Sequence, residues 1–120
     1  MATAALSPLD QELHPPAHLK PILADVGALY RDEVAPREAA LAHRLADESQ
    51  FLDTDGKLHP EILAARREIM RAAGKKNVYS AHLPERLGGR GLGRTDMIYV
   101  EEKVYGYGCG LNPALLSWSE

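Results

Sequence analysis

From Leu19 onward the apolar residues recur at spacings of three and four: Leu19, Ile22, Leu23, Val26, Leu29 and Tyr30 draw one stripe along a helix. That helix is expected to start at His18, with Pro21 in its first turn, where a missing N–H costs little, and to end just before Pro36. Because proline withholds a donor and restricts Ala35 before it, the pattern either kinks or restarts there. Leu41 and Leu45 then carry a second amphipathic piece to about Glu48. The two pieces are expected to share one core-facing stripe. Residues 1–17, with Pro8, Pro15 and Pro16 and no sustained period, read as a flexible arm, and 18–120 as one helical domain.

Asp53-Thr54-Asp55-Gly56 is a turn by composition, and Pro60 opens a helix whose inner side is expected to hold Ile62, Leu63, Ile69, Met70 and Ala73. Gly74 is its expected C-cap, with Lys75 and Lys76 at the negative end of the dipole. Pro84, Gly88, Gly89, Gly91 and Gly93 predict a loop over 77–94, with a short extended piece at 78–81. Thr95 is the expected N-cap of the next helix, with Asp96 in its first turn and Met97, Val100 and Val104 at helical spacing. Gly106, Gly108 and Gly110 break that helix. Asn112 before Pro113 pairs an N-cap with a favoured first helical residue, so a last helix is expected through Leu115 and Leu116 with no stop signal before Glu120. A helix cut off there leaves carbonyls and apolar side chains without partners, so the chain reads as truncated.

Composition narrows the class. In 120 residues, 45% are hydrophobic and 26% charged, while Phe and Trp occur once each, so the core is aliphatic and the fold class is all-α. The length is that of one domain. No apolar run approaches the roughly 20 residues that span a bilayer. Cys109 has no second cysteine to pair with, and the first thirty residues hold Lys20 as their only cation and no apolar signal segment, so the expected location is cytoplasmic. Charge is uneven: residues 1–59 hold 5 basic and 10 acidic side chains, 60–94 hold 8 and 3, and 95–120 hold 1 and 4. The basic run Arg66, Arg67, Arg71, Lys75 and Lys76 has no aromatic residues between its charges and sits in a chain of net charge −3, so it reads as a solvated helix face rather than a nucleic-acid surface.

Four constellations with chemical precedents fail on inspection. Setting Gly56 at the sixth position of a calcium loop puts Phe51 and Ile62 where oxygen ligands belong. Residues 88–95 have the spacing of a phosphate-binding loop with arginine for lysine, but no buried strand leads into them, and Arg94 stands where a dinucleotide fingerprint needs its third glycine. His14, His18, His43, His59 and His82 lack the spacing of a metal site and read as surface or loop residues. Cys109, Ser80, Ser117 and Ser119 stand in no nucleophile motif, and Cys109 reads as a small packing residue.

The segment Leu83-Pro84-Glu85-Arg86-Leu87-Gly88-Gly89-Arg90-Gly91-Leu92, followed by a helix with Glu101-Glu102 and then Tyr105-Gly106, resembles the acyl-CoA dehydrogenase family. The resemblance covers about residues 18–120 and implies the family's N-terminal helical domain, without its middle β domain or its C-terminal helical bundle. The implied reaction is α,β-dehydrogenation of an acyl-CoA thioester, with electrons passed to FAD. The family's glutamate base lies in the C-terminal domain, so no position here matches it and Glu85, Glu101 and Glu102 are not candidates for the role. Most flavin contacts also lie in the other domains, and the family is homo-oligomeric when complete. The resemblance leaves this chain part of the acyl-pocket wall, in the stretch 110–116: Leu111, Asn112, Leu115 and Leu116 are the candidate substrate-binding residues. By this reading the chain is inactive alone. The other reading open at this point is a free-standing helical protein-interaction module.

Overall fold

A computed structural model describes residues 14–108 and 110–117. Of the expected arm over 1–17, residues 1–13 lie outside the described residues, as do Cys109 and the open end at Glu120, while Ala17 already belongs to the first helical turn. Among those residues the fold is all-α, with one isolated bridge between Leu52 and Leu58, and no helix is long and apolar enough to cross a membrane.

A 3-10 turn, Ala17–Leu19, leads into α1, Lys20–Leu29, which buries Ile22, Val26 and Leu29. The helix does not stop before Pro36. A π-helical turn, Tyr30–Val34, joins α1 to α2, Ala35–Ala40, and the Ala35 N–H donates to the Tyr30 carbonyl five residues back. Proline in a helix removes one bond and crowds the carbonyl four residues earlier; the wider π turn just ahead of it absorbs both costs. The shared stripe then thins. Neither α2 nor α3, Ala42–Leu45, buries a residue fully, and Leu41 and Leu45 pack only at the edge of the core.

Helix α4, Glu48–Phe51, is capped by the Asp47 carboxylate, which accepts from the Ser49 N–H at 2.9 Å. The predicted turn follows, with Asp53 Oδ1 accepting from the N–H groups of Asp55 and Lys57. Helix α5, Pro60–Lys75, is capped by His59, whose Nδ1 accepts from the Glu61 N–H. Its buried residues are Ile62, Ala65, Ile69 and Ala73. Leu63 was expected inside and is exposed, since it lies about 100° around the helix from Ile62. Gly74 stays helical, and the left-handed residue that ends α5 is Asn77 at φ +57, after which the Val78 N–H closes onto the Ala73 carbonyl.

Residues 78–81 form turns rather than an extended piece, and Val78 and Ala81 point into the core. A 3-10 turn, Glu85–Leu87, continues the loop. The loop closes tightly: Arg90 and Leu92 donate N–H bonds to the Ala81 carbonyl, and Gly91 donates to Leu83. Helix α6, Arg94–Tyr105, begins two residues before the predicted start. Gly93 is therefore its cap, Thr95 is inside and exposed, and Asp96 faces His18 at 3.0 Å. The final helix expected from Pro113 is a single 3-10 turn, Asn112–Leu115. Leu116 is extended, and the Ser117 N–H and hydroxyl both donate to the Tyr79 carbonyl, at 3.0 and 2.7 Å. The core lies where α1, α5, α6 and this last turn meet.

Candidate functional site

The stretch that the family resemblance implicates begins where α6 stops. Gly108, at φ +113, reverses the chain in a region closed to most side chains, and the Asn112–Leu115 turn folds back against α5 and α6. A helix end leaves its last carbonyls without partners. Asn112 answers them: Nδ2 donates to the Val104 carbonyl at 2.8 Å and the Gly108 carbonyl at 2.7 Å, and Oδ1 accepts the Gly110 N–H at 2.9 Å. The local pattern assigned Asn112 to the start of its own helix. In the fold it caps the end of the helix before it, because those carbonyls are the unmet groups within its reach.

Leu111, Leu115 and Leu116 are buried beside Asn112, together with Ala114. The fold thus gathers all four predicted substrate-binding residues into one turn. None of them lines the clefts found on the described surface, and Asn112 spends its polar atoms on backbone.

A second set of residues holds this turn from the far side. Glu38 accepts the Leu111 N–H at 3.1 Å and also the Tyr30 hydroxyl. Tyr30 and Glu38 are eight apart, which in an unbroken α-helix leaves them about 80° apart; one extra residue in the π turn brings them within about 20°. The Tyr30 ring stacks on Tyr107 with centroids 3.8 Å apart and planes at 5°, and the Lys103 ammonium lies 5.5 Å from the Tyr107 centroid. The Tyr107 hydroxyl reaches across to Gly27, where a Cβ would stand 3.6 Å from it. Sequence reasoning passed over Tyr30, Glu38 and Tyr107. Its one available clue was Pro36, the residue that makes a π turn advantageous.

Burial, then the hydrogen bond to Glu38 and its charge, push the Tyr30 phenol above the ordinary tyrosine range. A group that holds its proton more tightly when folded contributes stability that is complete below its unfolded value, about 10, and is lost as pH rises through the folded value. Tyr30→Phe is therefore expected to lose less of its urea midpoint between pH 8 and pH 11 than the parent protein. Equal losses would show that Tyr30 is not the linked group.

The glycine loop offers a different surface. Arg90 Nη2 donates to Asp25 at 2.5 Å and to the Lys76 carbonyl at 2.8 Å, and Nε donates to the Asn77 carbonyl at 3.3 Å. Those donors are spent tying the loop to α1 and to the end of α5, not offered to a phosphate. A cleft of about 570 Å³ beside it runs between His18, Pro21, Glu85 and Leu92. Another, of about 340 Å³, is lined by Pro15, Leu23, Tyr99, Lys103 and Tyr107. Among the described residues no group of His, Cys, Asp and Glu is placed to hold a metal ion. Glu85, Glu101 and Glu102 are apart from the aliphatic turn: Glu85 lines the larger of these clefts, Glu102 lines the other, and Glu101 is half-buried on α6.

The described residues do not by themselves fit a flavin dinucleotide. A drug-sized ligand already takes an enclosing pocket of about 300–1,000 Å³. These four clefts, of about 270–570 Å³, reach that size but are open to solvent rather than enclosing, and they aim no set of buried polar groups inward. No flavin step is therefore assigned to residues of this chain. No protein-family model, curated protein or solved structure matches the chain.

Proposed function

We propose that this chain is the N-terminal helical part of an acyl-CoA dehydrogenase-like flavoenzyme, one that forms an α,β double bond in an acyl-CoA thioester with electrons passed to FAD. The observation that carries the reading is the order of parts: a glycine loop closed by Gly89, a helix with Glu101-Glu102, then a turn gathering Leu111, Ala114, Leu115 and Leu116. In this reading the chain contributes apolar wall and shape to the acyl pocket, while base and flavin are held by domains of the same enzyme outside these residues. With Leu111, Leu115 and Leu116 buried, the turn supports that wall from behind, and an aliphatic backing leaves no unmet polar group next to an acyl chain.

The test is to express the product of the whole reading frame beside the 120-residue chain. The longer product is expected to carry FAD and to reduce a redox dye with acyl-CoA, and the chain alone to do neither. Stoichiometric flavin binding with turnover by the chain alone, or a whole product that binds no flavin, would overturn the proposal. The interaction-module reading has one observation in its favour, the apolar residues exposed on the outer face of α6.

A further inference from the structure

Two helices of this chain turn uncommitted faces to solvent, and the two faces are opposite in charge. On α6, Ile98 and Tyr105 are 57% and 41% exposed, and Glu101 and Glu102 lie between them on the same side, at spacings of three, four and seven. Neither glutamate forms an ion pair among the described residues. Lys103 points elsewhere, over the Tyr107 ring. On α5, Leu63 is 36% exposed and heads a stripe that continues through Arg67 and Arg71 to Lys75. Arg71 is paired with Glu68, whereas Arg67 and Lys75 have no such partner among the described residues. Each helix turns its other side to the common core, so one chain does not bring these two faces together.

We infer that the α6 face of one copy docks on the α5 face of a second copy, so that the chain self-associates head to tail. The dimensions agree: Ile98 to Tyr105 spans about 10 Å and Leu63 to Arg71 about 12 Å at about 1.5 Å per residue. With the helices running in the same direction, Ile98 meets Leu63, Glu101 and Glu102 face Arg67, and Tyr105 covers the apolar stem of Arg71. Arg94, at the start of the α6 face, then falls opposite Pro60 and Glu61 at the start of α5. A second copy is the fitting occupant because this chain supplies both halves, an acidic apolar face and a basic apolar one. Such a contact uses two different patches, so each copy keeps one face open for another. Its charged part weakens with salt, since the Debye length is about 8 Å at physiological ionic strength. The inference stands apart from the flavoenzyme reading, and its failure leaves that reading untouched.

The test is light scattering on three forms of the 120-residue chain. The parent protein is expected to gain mass with concentration at low salt and to lose it at high salt. Glu101→Lys with Glu102→Lys makes both faces basic, and Arg67→Glu with Lys75→Glu makes both acidic. Each double variant is expected to associate at least about tenfold more weakly than the parent, while an equal mixture of the two, in which basic and acidic faces meet again, regains association. Arg67, Lys75 and Glu102 are exposed and Glu101 is half-buried, and helical circular dichroism checks that each variant is folded. A parent protein that stays monomeric at low salt, a double variant that associates as the parent does, or a mixture that fails to pair would overturn the inference.

Discussion

Replacing Asn112 by alanine is expected to lower the unfolding free energy by about 3 kcal/mol. Asn112 is fully buried, and its amide is what meets the Val104 and Gly108 carbonyls and the Gly110 N–H. Without it, the Val104 carbonyl keeps a stretched 3.5 Å bond from the Tyr107 N–H and a share of the Gly106 N–H, which also serves Glu102. A buried polar group left unmet costs about 1–3 kcal/mol, and the half-buried Gly110 N–H recovers part of its loss from water. Asn112→Leu keeps the volume and loses the same bonds, so it is expected to be no milder than alanine. Urea unfolding followed by circular dichroism measures both. A loss below about 1 kcal/mol for either would show that these bonds do not hold the turn. The outcome also bears on function: a residue that spends its polar atoms on backbone shapes an acyl pocket by positioning Leu111 and Leu115, not by touching a ligand.

Gly89→Ala is expected to cost a similar amount, about 3 kcal/mol, for a steric reason. A Cβ at Gly89 would overlap the Leu83 and Ser80 carbonyl oxygens. Both belong to backbone that is itself fixed by turns, since Leu83 donates to Ser80 and Gly91 donates to Leu83. The loop must open to make room. That strains the Arg90 bonds to Asp25, Lys76 and Asn77, so faster amide exchange at Arg90, Gly91 and Leu92 is expected alongside the lost stability. Gly74→Ala is the contrasting case. Gly74 is helical with nothing within 4 Å of the new Cβ, so alanine there is expected to stabilise by about 0.5 kcal/mol. If the two substitutions have equal effects, close approach at Gly89 is not what closes the loop.

Where sequence reasoning succeeded, the decisive physics was local. The stripe through Leu19, Ile22, Val26 and Leu29 and the inner positions Met97, Val100 and Val104 follow from helical geometry and apolar content alone. The Asp53 turn follows from side-chain bonds to N–H groups two and four residues on. Where it went astray, an alternative of nearly equal local merit was chosen by packing. Leu63 lost the inner side of α5 to Ala65, since a small residue permits close approach to the core. Thr95 lost the cap of α6 to Gly93, and Gly74 lost the end of α5 to Asn77. The residues of the candidate site came as a group from the family resemblance, which marks the stretch after Tyr105-Gly106. Their supports did not, because Glu38 reaches Leu111 across 73 positions.

The sequence by itself determined that the described chain is helical, that the α1 and α6 stripes turn inward, and that a glycine loop must separate α5 from α6. These depend on residues within a turn or two of each other. Tertiary structure decided the partners: Asp25 for Arg90 across 65 positions, Asp96 for His18 across 78, and the α6 carbonyls for Asn112. A polar side chain bonds to whichever group packing has buried unmet within its reach, and which groups those are is settled only when the helices come together.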